Sequence, residues 1–201
     1  MSICKSILFG TAENYNVCGF PVQFTEESSK RNRVTHVFAE SLKTITLSRA
    51  YILVHELGHS LAIKFFTPEY TPKIFIHSES GSTTLPDSYE NLPTWKKVVI
   101  LTAGPVARIA CAMLQLAFVI RCIALSIYIP WAAAAFLTFI NFCAVLQELH
   151  YTLQATYSKD EGDFGLIRKL GIKPLALASA VVLGQSAVGL YASFHLIGKL
   201  V

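Results

Sequence analysis

The strongest constraint on the fold is an apolar stretch of 49 residues, 98–146, in which only Arg108 and Arg121 are charged. One straight helix of that length, at about 1.5 Å per residue, would be more than twice as long as the roughly 30 Å hydrocarbon core of a bilayer. The stretch must therefore fold back once. The sequence Tyr-Ile-Pro-Trp at 128–131 predicts the turn, because proline interrupts a helix and Tyr and Trp favour the headgroup layer.

Two further segments have the length of membrane-spanning helices. Residues 174–197 carry no formal charge over 24 positions, where a spanning helix needs about 20. Segment 44–66 contains no proline but holds five residues with charged or imidazole side chains, which are Arg49, His55, Glu56, His59 and Lys64. Such residues are costly against lipid, so this segment is either the buried helix of a soluble core or a span surrounded by the others. Beside three credible spans, we interpret it as a fourth.

The composition agrees with a membrane protein. Charged residues make up 15% of the chain, against about 25% in an average soluble domain, and the mean hydropathy is +0.47. These values exclude a disordered chain and argue against an ordinary soluble enzyme. The net charge is only +4 and the longest basic run is Lys30-Arg31-x-Arg33, so we expect no nucleic-acid partner. We therefore expect the chain to be in contact with membrane lipid. Lys and Arg are evenly distributed between the two sides of the predicted spans, so they predict neither an orientation nor a particular membrane.

The predicted fold class is an all-α polytopic membrane protein with about four transmembrane helices and a small β-hairpin between the first two. Residues 1–43 form a polar N-terminal arm, and 44–201 form the membrane-embedded domain. The hairpin falls in segment 67–97, which has four prolines and Gly81 and in which Ile74-Phe-Ile76 is typical of a short strand. Its unpaired edge could hold a substrate strand by β-addition, or it could be an ordinary surface hairpin.

The motif that carries chemistry is His55-Glu56-Leu57-Gly58-His59, an H-E-x-x-H sequence. Positions i and i+4 of a helix lie on one face, so both imidazoles can bind one metal ion. Glu56, next to the first imidazole, can then act as the general base that takes a proton from water. An accidental polar patch is the alternative, but three ionisable side chains within five residues of an apolar helix favour a metal site.

A catalytic zinc ion usually has three protein ligands and one position for water, so a third ligand is needed. The soluble extension H-E-x-x-H-x-x-G-x-x-H is absent, because Ala62 and Phe65 occupy its Gly and His positions. The candidate carboxylates further along the chain are Glu79, Glu90, Glu148, Asp160 and Asp163.

Taken in order, these motifs resemble the site-2 protease family of intramembrane zinc metalloproteases. Members carry H-E-x-x-H in a membrane helix, then a polar hairpin, a helix with a Gly-Pro motif, and an Asp motif that supplies the third zinc ligand. Gly104-Pro105 is similar to the Gly-Pro element, and Asp163, with Ile167 four residues later, is similar to the Asp motif. Phe164 stands where the family has Gly, which leaves Asp160 as a rival ligand. Arg108 stands where the family often has Asn.

The resemblance implies that His55, His59 and Asp163 bind Zn²⁺ and that Glu56 is catalytic. The implied activity is zinc endopeptidase cleavage of peptide or transmembrane protein substrates that are embedded in the membrane or adjacent to it. Topology agrees: with four spans, Asp163 enters the last span from the face at which the 44–66 helix ends. Two alternatives stay open. One is a non-catalytic zinc-binding membrane protein of the same fold, and the other is a zinc protease acting outside the membrane with Glu79 or Glu90 as the third ligand.

Overall fold

The computed structural model describes residues 14–24, 49–77, 80–124, 131–157 and 162–200. This part of the chain is mostly helical, with five helices and one four-stranded sheet. The helices are α1 (Arg49–Phe66), α2 (Thr94–Ala124), α3 (Trp131–Tyr157), α4 (Asp163–Leu170) and α5 (Ile172–Leu200). The strands are β1 (Asn14–Val17), β2 (Phe20–Phe24), β3 (Ile74–Ile76) and β4 (Gly81–Thr83), and a 3-10 turn spans Asp87–Asn91.

The chain divides into two compact units, Met1–Gly104 and Pro105–Val201. In the first, β1 and β2 form an antiparallel hairpin with a two-residue turn at Cys18 and Gly19, whose φ angles are 54° and 86°. Two positive φ angles in succession are the signature of the type I′ turn that suits the twist of paired strands. The Gly19 amide also donates to Asn16 Oδ1 at 3.0 Å. The turn thus fixes the register of this hairpin.

The four strands form one sheet in the order β1-β2-β3-β4. The predicted hairpin in 67–97 is confirmed, since β3 and β4 pair antiparallel. The sheet is larger than predicted, because β2 pairs in parallel with β3, with Val22 opposite Ile74 and Phe24 opposite Ile76. The predicted N-terminal arm, residues 1–43, therefore contributes two strands to the sheet.

Helix α1 packs on one face of the sheet. Alternate residues of β2 and β3 point to this face, and with two residues of α1 they form a buried apolar cluster of Phe20, Val22, Phe24, Ile52, Leu53, Ile74 and Ile76. The predicted helix over 44–66 is confirmed for 49–66, and 44–48 lie outside the described residues. At the end of α1, Lys64 Nζ donates to the Pro68 and Tyr70 carbonyls at 2.6 and 3.2 Å.

In the second unit, α3 and α5 run antiparallel. The Phe142 and Phe194 rings lie 5.4 Å apart, and a Cβ placed on Gly189 would lie 3.2 Å from Val145 Cγ2. Between these two contacts the residue number increases along α3 and decreases along α5, as in an antiparallel pair. The predicted fold-back of 98–146 is confirmed, because α2 ends at Ala124, α3 begins at Trp131, and Leu116 and Val119 of α2 pack with Ala134 and Leu137 of α3. Residues 125–130, which include most of the predicted turn, lie outside the described part.

Two of the described helices are long and apolar enough to cross a membrane, over Thr94–Cys122 and Ile172–His195. Only 39% and 22% of their most apolar windows are buried, so much of their apolar surface faces outward. In α3, the apolar segment Phe136–Leu146 is shorter. The spans predicted for α3 and α1 stay predictions.

Candidate metal centre

Helix α1 brings the two histidines of the H-E-x-x-H motif together. His55 Nε2 and His59 Nε2 lie 3.1 Å apart, as expected for imidazoles one turn apart on one helix face. His59 is 6% exposed, and His55 is partly buried. Ligand atoms of a tetrahedral zinc site, with Zn–N distances near 2.0–2.1 Å, are separated by roughly 3.3 Å. The imidazole pair therefore has the spacing that two ligands of one ion require.

A backbone carbonyl fixes the tautomer of His59. Its Nδ1 lies 2.7 Å from the Ile100 carbonyl oxygen, which can only accept a hydrogen bond. Nδ1 must therefore carry the proton, which leaves the lone pair of Nε2 on the side of His55. Metal-binding histidines are typically oriented in this way, with the second ring nitrogen donating to a carbonyl or a carboxylate.

The third member of the group is Asp163. Its carboxylate and one ring nitrogen from each of His55 and His59 all lie within 4.8 Å of one another, so the three residues could hold a metal ion. Two nitrogens and one carboxylate oxygen form a donor set found in catalytic zinc sites and also in non-haem iron sites. The geometry shows a candidate metal centre, and zinc as its metal is a proposal.

The start of α4 places Asp163. Gly162 precedes the helix in an extended conformation, and Asp163 is its first residue, where the positive end of the helix dipole favours a carboxylate. Phe164 and Ile167 anchor the helix by burial. Gly171, with φ at 127°, ends it in a backbone conformation that disfavours residues with a side chain.

Gly104 of α2 lies directly against the imidazole pair. A Cβ at this position would collide with His59 Nε2 and would lie 2.7 Å from His55 Nε2. Only a residue without a side chain lets α2 approach these rings so closely. A close helix approach is one of the two roles that the sequence allows for Gly104-Pro105, and the structure shows it at Gly104.

Glu56 is buried beside the histidines, with 6% of its surface exposed. Thr83 Oγ1 donates to its Oε2 at 2.7 Å, and a Cβ placed on Gly81 would lie 2.7 Å from its Oε1. The base predicted from the motif is thus held against β4. Thr83 is not predictable from the sequence, because nothing in Gly81-Ser-Thr-Thr84 identifies which hydroxyl faces α1.

The rival carboxylates have different positions. The Glu90 carboxylate accepts from Lys97 Nζ at 3.1 Å, and its side chain is 84% exposed. Asp160, Glu79 and the side chain of Glu148 lie outside the described residues. Of the candidate ligands that the structure describes, Asp163 is the one it brings to the histidines.

No family model, curated protein or solved structure matches this chain. What can be inferred about its function therefore comes from its residues and their geometry.

Proposed function

We propose that the chain is an intramembrane zinc metalloendopeptidase of the site-2 protease kind. The observation that carries the proposal is the grouping of His55, His59 and Asp163, with ligand atoms within 4.8 Å of one another, beside the buried carboxylate of Glu56. Two imidazoles, one carboxylate and an adjacent second carboxylate make up the set that metal-assisted peptide hydrolysis needs.

The roles of the residues follow from their chemistry. A bound zinc ion would supply Lewis acidity, which polarises the scissile carbonyl and acidifies a water molecule. Glu56 takes the proton from the attacking water and later delivers it to the leaving amine. Its burial keeps competing bulk water away from this proton transfer.

Outward-facing apolar side chains on α2, α3 and α5 support a membrane location. On α5 the exposed residues include Leu177, Val181, Val188 and Phe194, while Ala178, Val182 and Ser186 on the other face are buried. A long helix whose outward face is apolar is typical of a membrane span, whereas a helix on the surface of a soluble protein is polar outside. We therefore propose a multi-pass integral membrane protein with α3 and α1 as further spans.

The edge of β4 supports a peptide substrate. The His77 amide donates a hydrogen bond to the Ser80 carbonyl, and the Thr84 amide donates to the Lys73 carbonyl, one at each end of the β3–β4 pair. Along an antiparallel pair, opposite residues are alternately hydrogen-bonded and not hydrogen-bonded to each other. The Gly81 and Thr83 backbone groups therefore point away from β3, toward the strand's other edge. A substrate strand could pair there, which would expose peptide groups that a transmembrane helix keeps hydrogen-bonded internally.

The second candidate is a non-catalytic zinc-binding membrane protein of the same fold. Two residues favour it, namely Arg108, which is buried one turn after Gly104 on α2, and Phe164 directly after Asp163. Both differ from the family pattern. Zinc content alone does not separate the two candidates, because both bind the metal.

The peptide-cleavage activity of a Glu56→Gln variant, compared with that of the wild type, distinguishes the protease from the non-catalytic zinc-binding protein. The chain would be reconstituted in phosphatidylcholine vesicles with a mixture of single-span peptides, and products would be read by mass spectrometry. We expect cleavage by the wild type and a loss of at least roughly 10³-fold in Glu56→Gln, with zinc retained, because only the base is removed.

Glu69→Gln is the matched control, since this carboxylate is exposed in the turn after α1 and is expected to leave cleavage unchanged. Zinc-dependent cleavage that survives in Glu56→Gln would contradict the mechanism. A zinc-loaded wild type that cleaves no peptide in the mixture would favour the non-catalytic candidate.

A further inference from the structure

We propose that Thr83 is a positioning residue for Glu56, and that β4 thereby couples substrate pairing to alignment of the general base. The inference rests on the proposed function, since it assigns Glu56 a catalytic role. It concerns a residue that neither the H-E-x-x-H motif nor the family resemblance indicates, and contacts between β4 and α1 carry it.

The Thr83 hydroxyl group can donate one hydrogen bond, and three possible acceptor oxygens lie near it. The Glu56 Oε2 atom lies at 2.7 Å, the Glu56 carbonyl oxygen at 3.2 Å and Ser60 Oγ at 3.5 Å. The shortest contact is to the charged acceptor, which forms the strongest hydrogen bond, so the proton is donated to Oε2. Oε1 is then the carboxylate oxygen left to exchange a proton with the substrate or with water.

Gly81 of the same strand also restricts the Glu56 side chain. A Cβ on Gly81 would lie 2.6 Å from Glu56 Cγ and 2.7 Å from Oε1. Gly81 and Thr83 are two residues apart on a strand, so they face the same side of the sheet. The Glu56 side chain is therefore confined by close approach at Gly81 and by the hydrogen bond at Thr83.

These two residues also present their backbone groups to the edge of the sheet. Ser82 pairs with Phe75 at a bonded position, so the Gly81 and Thr83 N–H and C=O groups point away from β3. A substrate strand bound at this edge would hydrogen-bond to the residues that hold the base. Register of the substrate and orientation of Glu56 would then be set by one three-residue strand.

The first test compares the effect of a Thr83 substitution on kcat with its effect on KM. Thr83→Val keeps the shape and the backbone edge but removes the donor, so we expect kcat for a cleaved single-span peptide to fall roughly 10- to 100-fold with KM changed less than about twofold. Thr83→Ser restores the hydroxyl and should recover kcat to within a few-fold. Thr138→Val is the control, because that buried hydroxyl donates to the Ala134 carbonyl of its own helix.

The second test is a double-mutant cycle that needs no turnover. The probe is a peptide hydroxamate, which chelates zinc and presents a proton to a neighbouring carboxylate, and its affinity is measured by calorimetry on zinc-loaded protein. If Thr83 acts through Glu56, Thr83→Val should weaken binding about tenfold in the wild-type background and leave it unchanged in Glu56→Gln.

Additive effects in this cycle, or a Thr83→Val variant with wild-type kcat, would overturn the inference and leave the protease assignment intact. A Thr83→Ser variant as impaired as Thr83→Val would also overturn it, since the hydroxyl would then not be the cause. A wild type that binds zinc but cleaves nothing would overturn the proposed function, while the binding cycle would still decide whether Thr83 orients Glu56. A chain that takes up no zinc would overturn both.

Discussion

At the scale of single residues, the candidate metal centre depends on the missing side chain of Gly104 as much as on the three candidate ligands. The ring nitrogens of His55 and His59 lie where a side chain at position 104 would lie. His59 cannot turn aside without breaking its 2.7 Å hydrogen bond to the Ile100 carbonyl. Gly104 and the Ile100 carbonyl, both on α2, therefore constrain the positions of the two imidazoles.

Gly104→Ala should reduce zinc affinity by at least about tenfold, because the new methyl group displaces the imidazoles that the ion needs. Helix propensity favours alanine over glycine by about 1 kcal/mol, so a loss of affinity would not come from a weakened helix. The matched control is Gly184→Ala on α5, where a Cβ meets nothing within 4 Å. Competition with a zinc chelator measures both variants, and equal affinities would contradict this role of Gly104.

The sequence predicted the histidines and Asp163 more readily than the residues that support them. H-E-x-x-H is a local pattern whose meaning follows from helical periodicity alone. Asp163 came from the family resemblance, with Asp160 as a rival that lies outside the described residues. Thr83 and the contact of Gly104 depend on which faces of β4 and α2 meet α1, and that information is tertiary rather than local.

At the scale of elements, the surface that orients α1 is built from two distant segments. β2 and β3 are paired in parallel although about fifty residues separate them, and their alternate side chains pack against Ile52 and Leu53. The hairpin in 67–97 was predictable because its strands are neighbours in sequence. The contribution of β2 was not, since a five-residue strand with a proline has little propensity of its own and gains stability from its partner.

Phe24→Ala should destabilise the sheet by about 3–5 kcal/mol, because the side chain is 1% exposed and its removal leaves a cavity between the sheet and α1. Urea denaturation in detergent measures this change in the free energy of unfolding. Phe65→Ala is the control, with an 80% exposed ring and an expected change within about 0.5 kcal/mol. Similar losses in both variants would show that Phe24 is not part of a core.

At the scale of the whole molecule, we propose that a cluster of Phe66, Trp95 and Lys96 lies in the headgroup layer of the membrane. The Phe66 and Trp95 rings lie 5.4 Å apart, and Lys96 Nζ lies 5.4 and 5.6 Å from their centroids. Trp95 is 58% exposed at the start of α2, the first candidate span. Aromatic rings accompanied by a lysine are typical of the membrane–water interface.

Fluorescence quenching tests this position of Trp95. In a Trp131→Phe background Trp95 is the single tryptophan of the chain. In vesicles, we expect its emission to be quenched most by lipids brominated close to the headgroup and less by lipids brominated near the chain ends. Full quenching by aqueous iodide with none by brominated lipid would place Trp95 in water and contradict the membrane assignment at this end of α2.

We propose that His55, His59 and Asp163 together hold one catalytic metal ion, and the metal content of the purified protein tests this most directly. The measurement is zinc per chain, by mass spectrometry of the purified protein after dialysis against a weak chelator. We predict about one zinc in the wild type and in Asp160→Ala, and less than about a tenth of that in His59→Ala and Asp163→Ala. Full zinc content in Asp163→Ala, or none in the wild type, would contradict the account.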